Sequence, residues 1–248
     1  MSLVDEYRRQ AGWRAWSQAF AMLPSLHGQV VLDLGCGVGD LAAELVARGA
    51  RVLGVDGNEE LLAAARARGL PGAEFVQADL GALPDLGVAA DGLWCSFAAA
   101  YFPDLPAVLG AWSRHLRPGV WAALTEIDDL FGHEPLLGRT RELLAGYARD
   151  ALAAGRYDFH MGGKVRRHME RAGFTVERES ALPDQEFSFA GPARPDVLDA
   201  WRARLARMQG LHGYCGQEYA ALRDDFLGCL VRADHRSRAR VVFCLARR

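Results

Sequence analysis

The 248 residues suffice for one α/β domain with helical additions, and for a core that needs no disulfide or metal staple. An apolar fraction of 50% beside 24% charged residues, with no run of about 20 uninterrupted apolar positions, predicts a soluble globular protein without a helical membrane span. A net charge of −2 and a pI near 6.4 give no global attraction to nucleic acid.

In chain order, Asp5, Glu6 and Arg14 interrupt any basic leader followed by an apolar run, which predicts a protein that is not secreted. Trp13, Trp16, Phe20 and Leu23 recur at three and four residues and predict one face of an N-terminal capping helix within residues 1–24, ending before Pro24. Val30 to Leu34 reads as a strand, Gly35, Gly37 and Gly39 as a tight loop, and Leu41 to Arg48 as a helix closed by Gly49. Arg51 to Val55 is a second strand. Asn58, followed by Glu59 and Glu60, starts a helix that Gly69 and Pro71 stop. Ala73 to Gln77 and Gly92 to Ser96 are the third and fourth strands. Leu105, Val108, Leu109, Trp112 and Leu116 line a helix before Pro118, and Val120 to Thr125 is the fifth strand.

Beyond Glu126 the alternation loosens. Helices are predicted from Thr140 to Ala153 and from Gly163 to Ala172, a sixth strand from Phe174 to Glu179, and two helices carrying Val197, Trp201, Leu205, Met208 and then Leu222, Phe226, Leu230. Ala239 to Ala246 closes the chain as a strand. Alternating strands and helices of this length predict a doubly wound, mostly parallel seven-stranded sheet, with 1–248 forming a single domain and with 126–162 and 183–235 as lid or insertion segments.

The chemistry concentrates at the glycine loop. A glycine turn between a strand's carboxyl end and a helix start lets backbone approach a ligand, and the helix offers free N–H groups to an anion. The spacing is G-x-G-x-G, and Asp40 stands where a dinucleotide fingerprint would carry its last glycine, so an acid there opposes a pyrophosphate. Asp33, Gly35, Gly37 and Gly39 resemble the first motif of class I S-adenosylmethionine-dependent methyltransferases. Asp56 after the second strand, Asp79-Leu80 after the third, and Leu116-Arg117-Pro118-Gly119-Val120 before the fifth extend that resemblance over most of residues 30–128. It implies S-adenosylmethionine as cofactor, with Asp56 on the ribose hydroxyls and Asp79 with Leu80 on the adenine edge. Asp33, Gly35, Cys36, Gly37, Gly57 and Ser96 complete the implied cofactor set.

The acceptor side is less constrained. Tyr101, Glu126, Asp128, His133 and His160 are assigned to loops at the same sheet edge, and Tyr101, His133 and His160 are the candidate catalytic residues, His160 foremost because it precedes the Gly162-Gly163 turn. Tyr7 and Trp13 are candidates to fold over the cofactor, although Trp13 also fits the apolar stripe. The N-P-P-Y or D-P-P-Y motif that the resemblance associates with nucleobase or amide-nitrogen acceptors is absent after strand four, where Ser96-Phe97-Ala98-Ala99 stands, and the loop from Glu126 to Gly162 with the helical insertion from Arg194 to Ala233 provides material for a closed pocket, which favours a small-molecule acceptor. Lys164, Arg166, Arg167 and Arg171 read as a solvated helix face, leaving an RNA or protein methyltransferase as the alternative; a nucleotide-dependent dehydrogenase and a non-catalytic binding module stand behind it. Cys36, Cys95, Cys215, Cys229 and Cys244 form no C-x-x-C pair, so neither a disulfide framework nor a thiolate zinc site is predicted, and a reducing cytoplasm fits best.

Overall fold

The computed structural model describes residues 3–248. The chain opens with two short helices, α1 (Leu3–Ala11) and α2 (Trp16–Ala21), and then alternates through β1 (Val30–Leu34), α3 (Asp40–Ala47), β2 (Arg51–Asp56), α4 (Glu59–Arg66), β3 (Ala73–Gln77), β4 (Ala90–Ser96), α5 (Leu105–Trp112) and β5 (Leu116–Asp128). A short β6 (His133–Glu134) leads to α6 (Gly138–Ala153) and α7 (Val165–Arg171), followed by β7 (Thr175–Leu182). Helices α8 (Pro195–Arg207), α9 (Gln209–Cys215) and α10 (Tyr219–Leu230) precede β8 (Arg236–Ser237) and the closing β9 (Arg240–Arg247). Local chemistry sets several of these boundaries: Asn58 Oδ1 accepts the Leu61 N–H at 3.2 Å to start α4, and Asp104 Oδ1 accepts the Ala107 N–H to start α5.

Seven strands form one sheet in the order β3-β2-β1-β4-β5-β9-β7. The first five run parallel, and β9 lies antiparallel to both β5 and β7. The expected doubly wound, mostly parallel seven-stranded sheet is therefore the observed architecture. Because the order reverses at β1 and β4, the carboxyl ends of these two strands diverge and open a crevice between their following loops.

Burial follows the two-residue period of the strands. Val31, Trp94, Trp121, Phe243 and Leu245 pack on one face with α2, α6 and the late helices; Leu32, Leu93, Leu124, Val242 and Cys244 pack on the other with α5 and α7. On the first face Trp94 is fully buried, stacked on Phe20 with ring centroids 4.9 Å apart, edge-on to Trp16 at 5.9 Å and near Phe243 at 6.0 Å. Both segments expected to leave the sheet, 126–162 and 183–235, contribute to a helical layer in which α10 contacts α6 and α8, and α9 contacts α6.

The N-terminal region differs from the single helix expected. Gly12 to Ala15 break it, because this stretch adds itself to the segment after β7: the Ala15 N–H donates to the Pro183 carbonyl and the Gln185 N–H to the Trp13 carbonyl, both at 3.1 Å. Trp13, Trp16 and Phe20 still face the core, from two elements rather than one.

Replacing Trp94 by alanine should remove the centre of this aromatic packing and lower unfolding free energy by about 3–5 kcal/mol in a urea titration. Trp94→Phe should cost much less, because the indole Nε1 that it deletes has no hydrogen-bond acceptor.

Candidate functional site

A cavity of about 1150 Å³ opens at the carboxyl ends of β1, β2, β3 and β4, floored by the glycine loop and roofed by α1 and α8. The loop is tied down from beneath, since the Gly35 and Cys36 N–H groups both donate to the Val55 carbonyl, at 2.8 and 3.2 Å. Gly35 has φ 78° and Gly37 φ 52°. A Cβ at Gly35 would stand 2.7 Å from the Ala98 Cβ, and one at Gly37 would stand 3.3 Å from the Tyr7 ring. Only glycine meets both the positive φ and the close approach.

Asp56 holds the crevice open at its far side. Its Oδ2 accepts the Gly37 N–H at 2.9 Å and its Oδ1 accepts the Asn58 N–H at 2.8 Å, which fixes both oxygens at the cavity wall. Asp79 Oδ1 accepts the Gly81 N–H at 2.8 Å and starts a single helical turn at Leu80, whose carbonyl accepts the Trp112 Nε1–H. Gly35, Cys36, Gly37, Asp56, Gly57, Asp79, Leu80 and Ser96 all line the cavity, and Ser96 Oγ is buried without a partner. Asp40 lines it too, paired with Arg68 at 2.6 Å.

Asp33, expected among the ligand contacts, instead lies beneath the loop, 1% exposed, and outside the cavity wall. It sits in the second-last position of a central strand covered on both faces. Burial, and then the charge of Asp56, push its carboxyl up to about 7. Cys36 also reaches the wall, but burial, followed by Asp33 and Asp56, raises its thiol far from the nucleophilic range.

The other half of the cavity is lined by Arg14, Trp16, Phe97, Tyr101, Tyr157, Phe187, Arg204, Arg207 and Met208, of which sequence reasoning places only Phe97 and Tyr101 at this edge. Glu186 joins two of the arginines: its Oε2 takes Arg14 Nη2 at 3.1 Å and its Oε1 takes Arg204 Nη2 at 2.5 Å, while Asp184 Oδ2 lies 3.4 Å from Arg14 Nε. Aromatic rings clamp the guanidiniums, Arg14 lying 4.7 Å over Phe97 and Arg204 5.2 Å over Phe187. Phe97 reaches that position through φ 59°, a conformation costing a bulky residue on the order of 1–3 kcal/mol, held by its N–H donating to the Thr125 carbonyl. Arg207 pairs with Glu6 at 2.5 Å and so links α8 to α1. Tyr7 lines the cavity, whereas Trp13 is core. The helical period of α8 marks the buried stripe Val197, Trp201 and Leu205 but not what its neighbouring stripe faces, which is why Arg204 and Arg207 went unnoticed.

Of the three candidate catalytic residues, Tyr101 alone lines the cavity. Its phenol is raised by desolvation and then by Glu126 nearby; burial, then Glu126, raises that of Tyr157 well beyond the ordinary value, and the two rings meet edge to face at 4.9 Å. His160 is exposed and 3.8 Å from Asp128. The Gly162-Gly163 backbone packs tightly on Ile127 and Asp128 at the carboxyl end of β5, and His160 is not among the residues that line the cavity. His133 belongs to the helical layer, 1% exposed, its Nδ1 3.0 Å from His235 Nε2, with Trp201 and Phe226 edge-on to it. Glu126 is fully buried behind the wall, accepting the Ala100 and Ile127 N–H groups, and burial pushes it up to about 7. Asp128 is taken by Arg240 at 2.5 Å. In the basic helix face, Lys164 pairs with Asp158 and Arg166 with Glu170 and Glu179. No helix among the described residues is long and apolar enough to cross a membrane.

Residues 31–119 match the family described as a methyltransferase domain. A trans-aconitate 2-methyltransferase of Deinococcus radiodurans is 39% identical over 142 residues, which are 54% of this chain and 54% of that protein. A nocamycin O-methyltransferase of Saccharothrix syringae is 35% identical over 172 residues, 61% of each chain. The chain thus spans about half the length of the curated relatives it matches. Among solved structures, an S-adenosylmethionine-dependent methyltransferase from Mesorhizobium loti shares the fold, with a TM-score of 0.58 at 22% identity, covering 94% of this chain and 97% of that one.

Burial, with the neighbouring His235, holds His133 neutral down to about pH 3. A folded pKa below the unfolded value of about 6.5 means that the unfolded chain binds more protons in that window. Stability is therefore lost as pH falls from about 6.5 toward 3, by up to about 1.4 kcal/mol per pH unit for this one site. The His133 imidazole resonances should accordingly stay unshifted between pH 8 and pH 5 in an NMR titration; a midpoint near 6.5 would contradict its burial.

Proposed function

The chain carries a domain of the class I S-adenosylmethionine-dependent methyltransferases, and from that premise we propose that it transfers a methyl group from S-adenosylmethionine to a small molecule bound in the same cavity. The observation that carries this reading is convergence: the glycine loop, Asp56, the Asp79 turn and the unpartnered Ser96 Oγ meet in one cavity whose opposite half is closed by α1 and α8. The donor set suits the cofactor. Acidic oxygens at Asp56 and Asp79 suit ribose hydroxyls and an adenine edge, the loop backbone suits a carboxylate, and the orphaned Ser96 hydroxyl gains a partner when the methionine portion is bound.

When bound, that cofactor supplies a methyl carbon activated by a sulfonium. The chain's own contribution is alignment and the exclusion of water. Asp56 positions one end of the ligand, the Gly35 to Val38 loop the other, and α1 and α8 cover both, with Tyr7 packed on Gly37 and Arg207 on Glu6. No histidine, lysine or glutamate lines the cavity among the described residues, and the phenols that do are shifted upward. Asp40, Asp56 and Asp79 stand on the glycine-loop half of the cavity, so on this reading alignment rather than a general base carries the reaction. The names of the relatives support a small acceptor, and Lys164 and Arg166, two of the four basic residues of that helix face, are already paired with acids.

Calorimetry should detect S-adenosylhomocysteine binding with a dissociation constant in the micromolar range common to enzyme ligands. Asp56→Ala, checked for folding by circular dichroism, should weaken it by about 1.5–3 kcal/mol, the scale of charge-assisted hydrogen bonds. Tight NAD binding with none of the homocysteine ligand would sink the reading.

A further inference from the structure

Resting on that reading, we propose that the acceptor is a small carboxylic acid bound as its carboxylate against Arg204 and the hydroxyls of Tyr7, Tyr101 and Tyr157, and that the product is its methyl ester. The half of the cavity away from the glycine loop is rich in donors and poor in acceptors. Arg204 lies within electrostatic reach of all three phenols, and none of their hydroxyls has a hydrogen-bond partner among the described residues. Arg204 spends Nη2 on Glu186, while its Nη1 has no acceptor among the described residues and the side chain stays 22% exposed. A carboxylate in the cavity accepts from that guanidinium edge in a charge-assisted hydrogen bond.

Glu186 fixes Arg204 rather than exhausting it. Burial opposes the guanidinium charge, but Glu186 beside it keeps it protonated, and the Phe187 ring holds its plane. Arg14, only 6% exposed at its side chain, grips the other oxygen of Glu186 with Nη2 and donates from Nη1 to the Gln10 carbonyl, so little of it faces the cavity. The two acids offset the two arginines, so recognition depends on oriented donors more than on net charge. Trp16, Phe97, Phe187 and Met208 supply an apolar wall for the rest of the molecule.

The absence of a base in the described wall selects the same chemistry. An alcohol or an ammonium must lose a proton before it attacks, whereas a carboxylate is already ionised at neutral pH. Asp40, Asp56 and Asp79 stand on the glycine-loop half of the cavity, and Glu126, behind the wall, has both oxygens on backbone amides. One carboxylate oxygen gives a lone pair to the new O–CH3 bond while the S–CH3 bond breaks and its electron pair stays on sulfur. A neutral ester and a neutral thioether result, with no proton transferred.

The test saturates the whole chain with S-adenosylhomocysteine and titrates benzoate, phenylacetate, hexanoate and fumarate, each against its amide, by calorimetry. At least one acid is expected to bind about tenfold or more tightly than its amide. That acid should lose about tenfold or more in Arg204→Met and less in Arg204→Lys, with homocysteine-ligand affinity held within about twofold in both. Should Arg204→Met fail to fold, the acid and amide comparison on the wild-type chain decides. Equal binding of acid and amide, binding of no acid, or an unchanged affinity in folded Arg204→Met overturns the proposal. A second arm supplies methyl-labelled S-adenosylmethionine with the acids that bind and treats the products with mild alkali. Label released as methanol marks an ester and supports the proposal. No transfer to an acid that binds, or label that resists alkali, overturns ester formation, and the alkali-stable result leaves methyl transfer itself standing. Failure to bind S-adenosylhomocysteine at all is the separate result that removes the underlying reading.

Discussion

The carboxylate of Asp56 ends one strand, and each of its oxygens accepts a backbone N–H from a different loop, Gly37 on one side and Asn58 on the other. That pair of bonds fixes the distance between the glycine turn and the start of α4. The site above depends on it, because the bonds of Gly35 and Cys36 to the Val55 carbonyl anchor the glycine turn to β2 but do not tie it to the start of α4. Charge-assisted bonds to amides are strong and directional, and here they are made at a half-buried position where water competes less. The Asp79 turn repeats the device one strand further along.

The roof is held differently. Two ion pairs, Arg14 with Glu186 and Arg207 with Glu6, join segments far apart in the chain, and a third, Arg204 with Glu186, ties α8 to the segment just before it. Buried pairs of this kind add little net stability, since the cost of removing both charges from water offsets most of their attraction. Their value is geometric: a guanidinium gripped by a carboxylate and stacked on a ring presents its remaining N–H groups in one direction. Phe97 carries backbone strain at the same place, and strain persists where surrounding contacts over-determine it.

How much of this was legible in the sequence divides at Glu126. Up to there, strands, loops and helices were marked by local signals: the apolar run Val30 to Leu34, the glycines after it, Asn58 at a helix start, and acids at successive strand ends. Each signal acts over a few residues, so the sheet and its glycine-loop half could be read directly. Beyond it, position depends on packing between distant segments. His160 was drawn toward the cavity by the Gly162-Gly163 turn, but that turn is used to lie flat on Asp128. His133 looked titratable and is instead a core residue in contact with His235. Arg204 carries no signal of its own in the sequence, since helical period distinguishes buried from exposed stripes and says nothing of a stripe that faces a cavity. The broken helix at Gly12 was hidden because Trp13, Trp16 and Phe20 keep the same spacing whether or not the backbone between them is helical.

The joining of residues 13–15 to residues 183–185 also sets an order of events. The Arg14 to Glu186 contact spans 172 residues and the Arg207 to Glu6 contact 201. On the ribosome, the first helices emerge long before their partners exist, while β1 to β5 can already pair with one another. The floor of the cavity is thus assembled during synthesis and the roof only after nearly the whole chain has left the exit tunnel. A nascent chain stalled after β5 would hold the strand ends and glycine loop of the cavity floor, without the arginine wall above them.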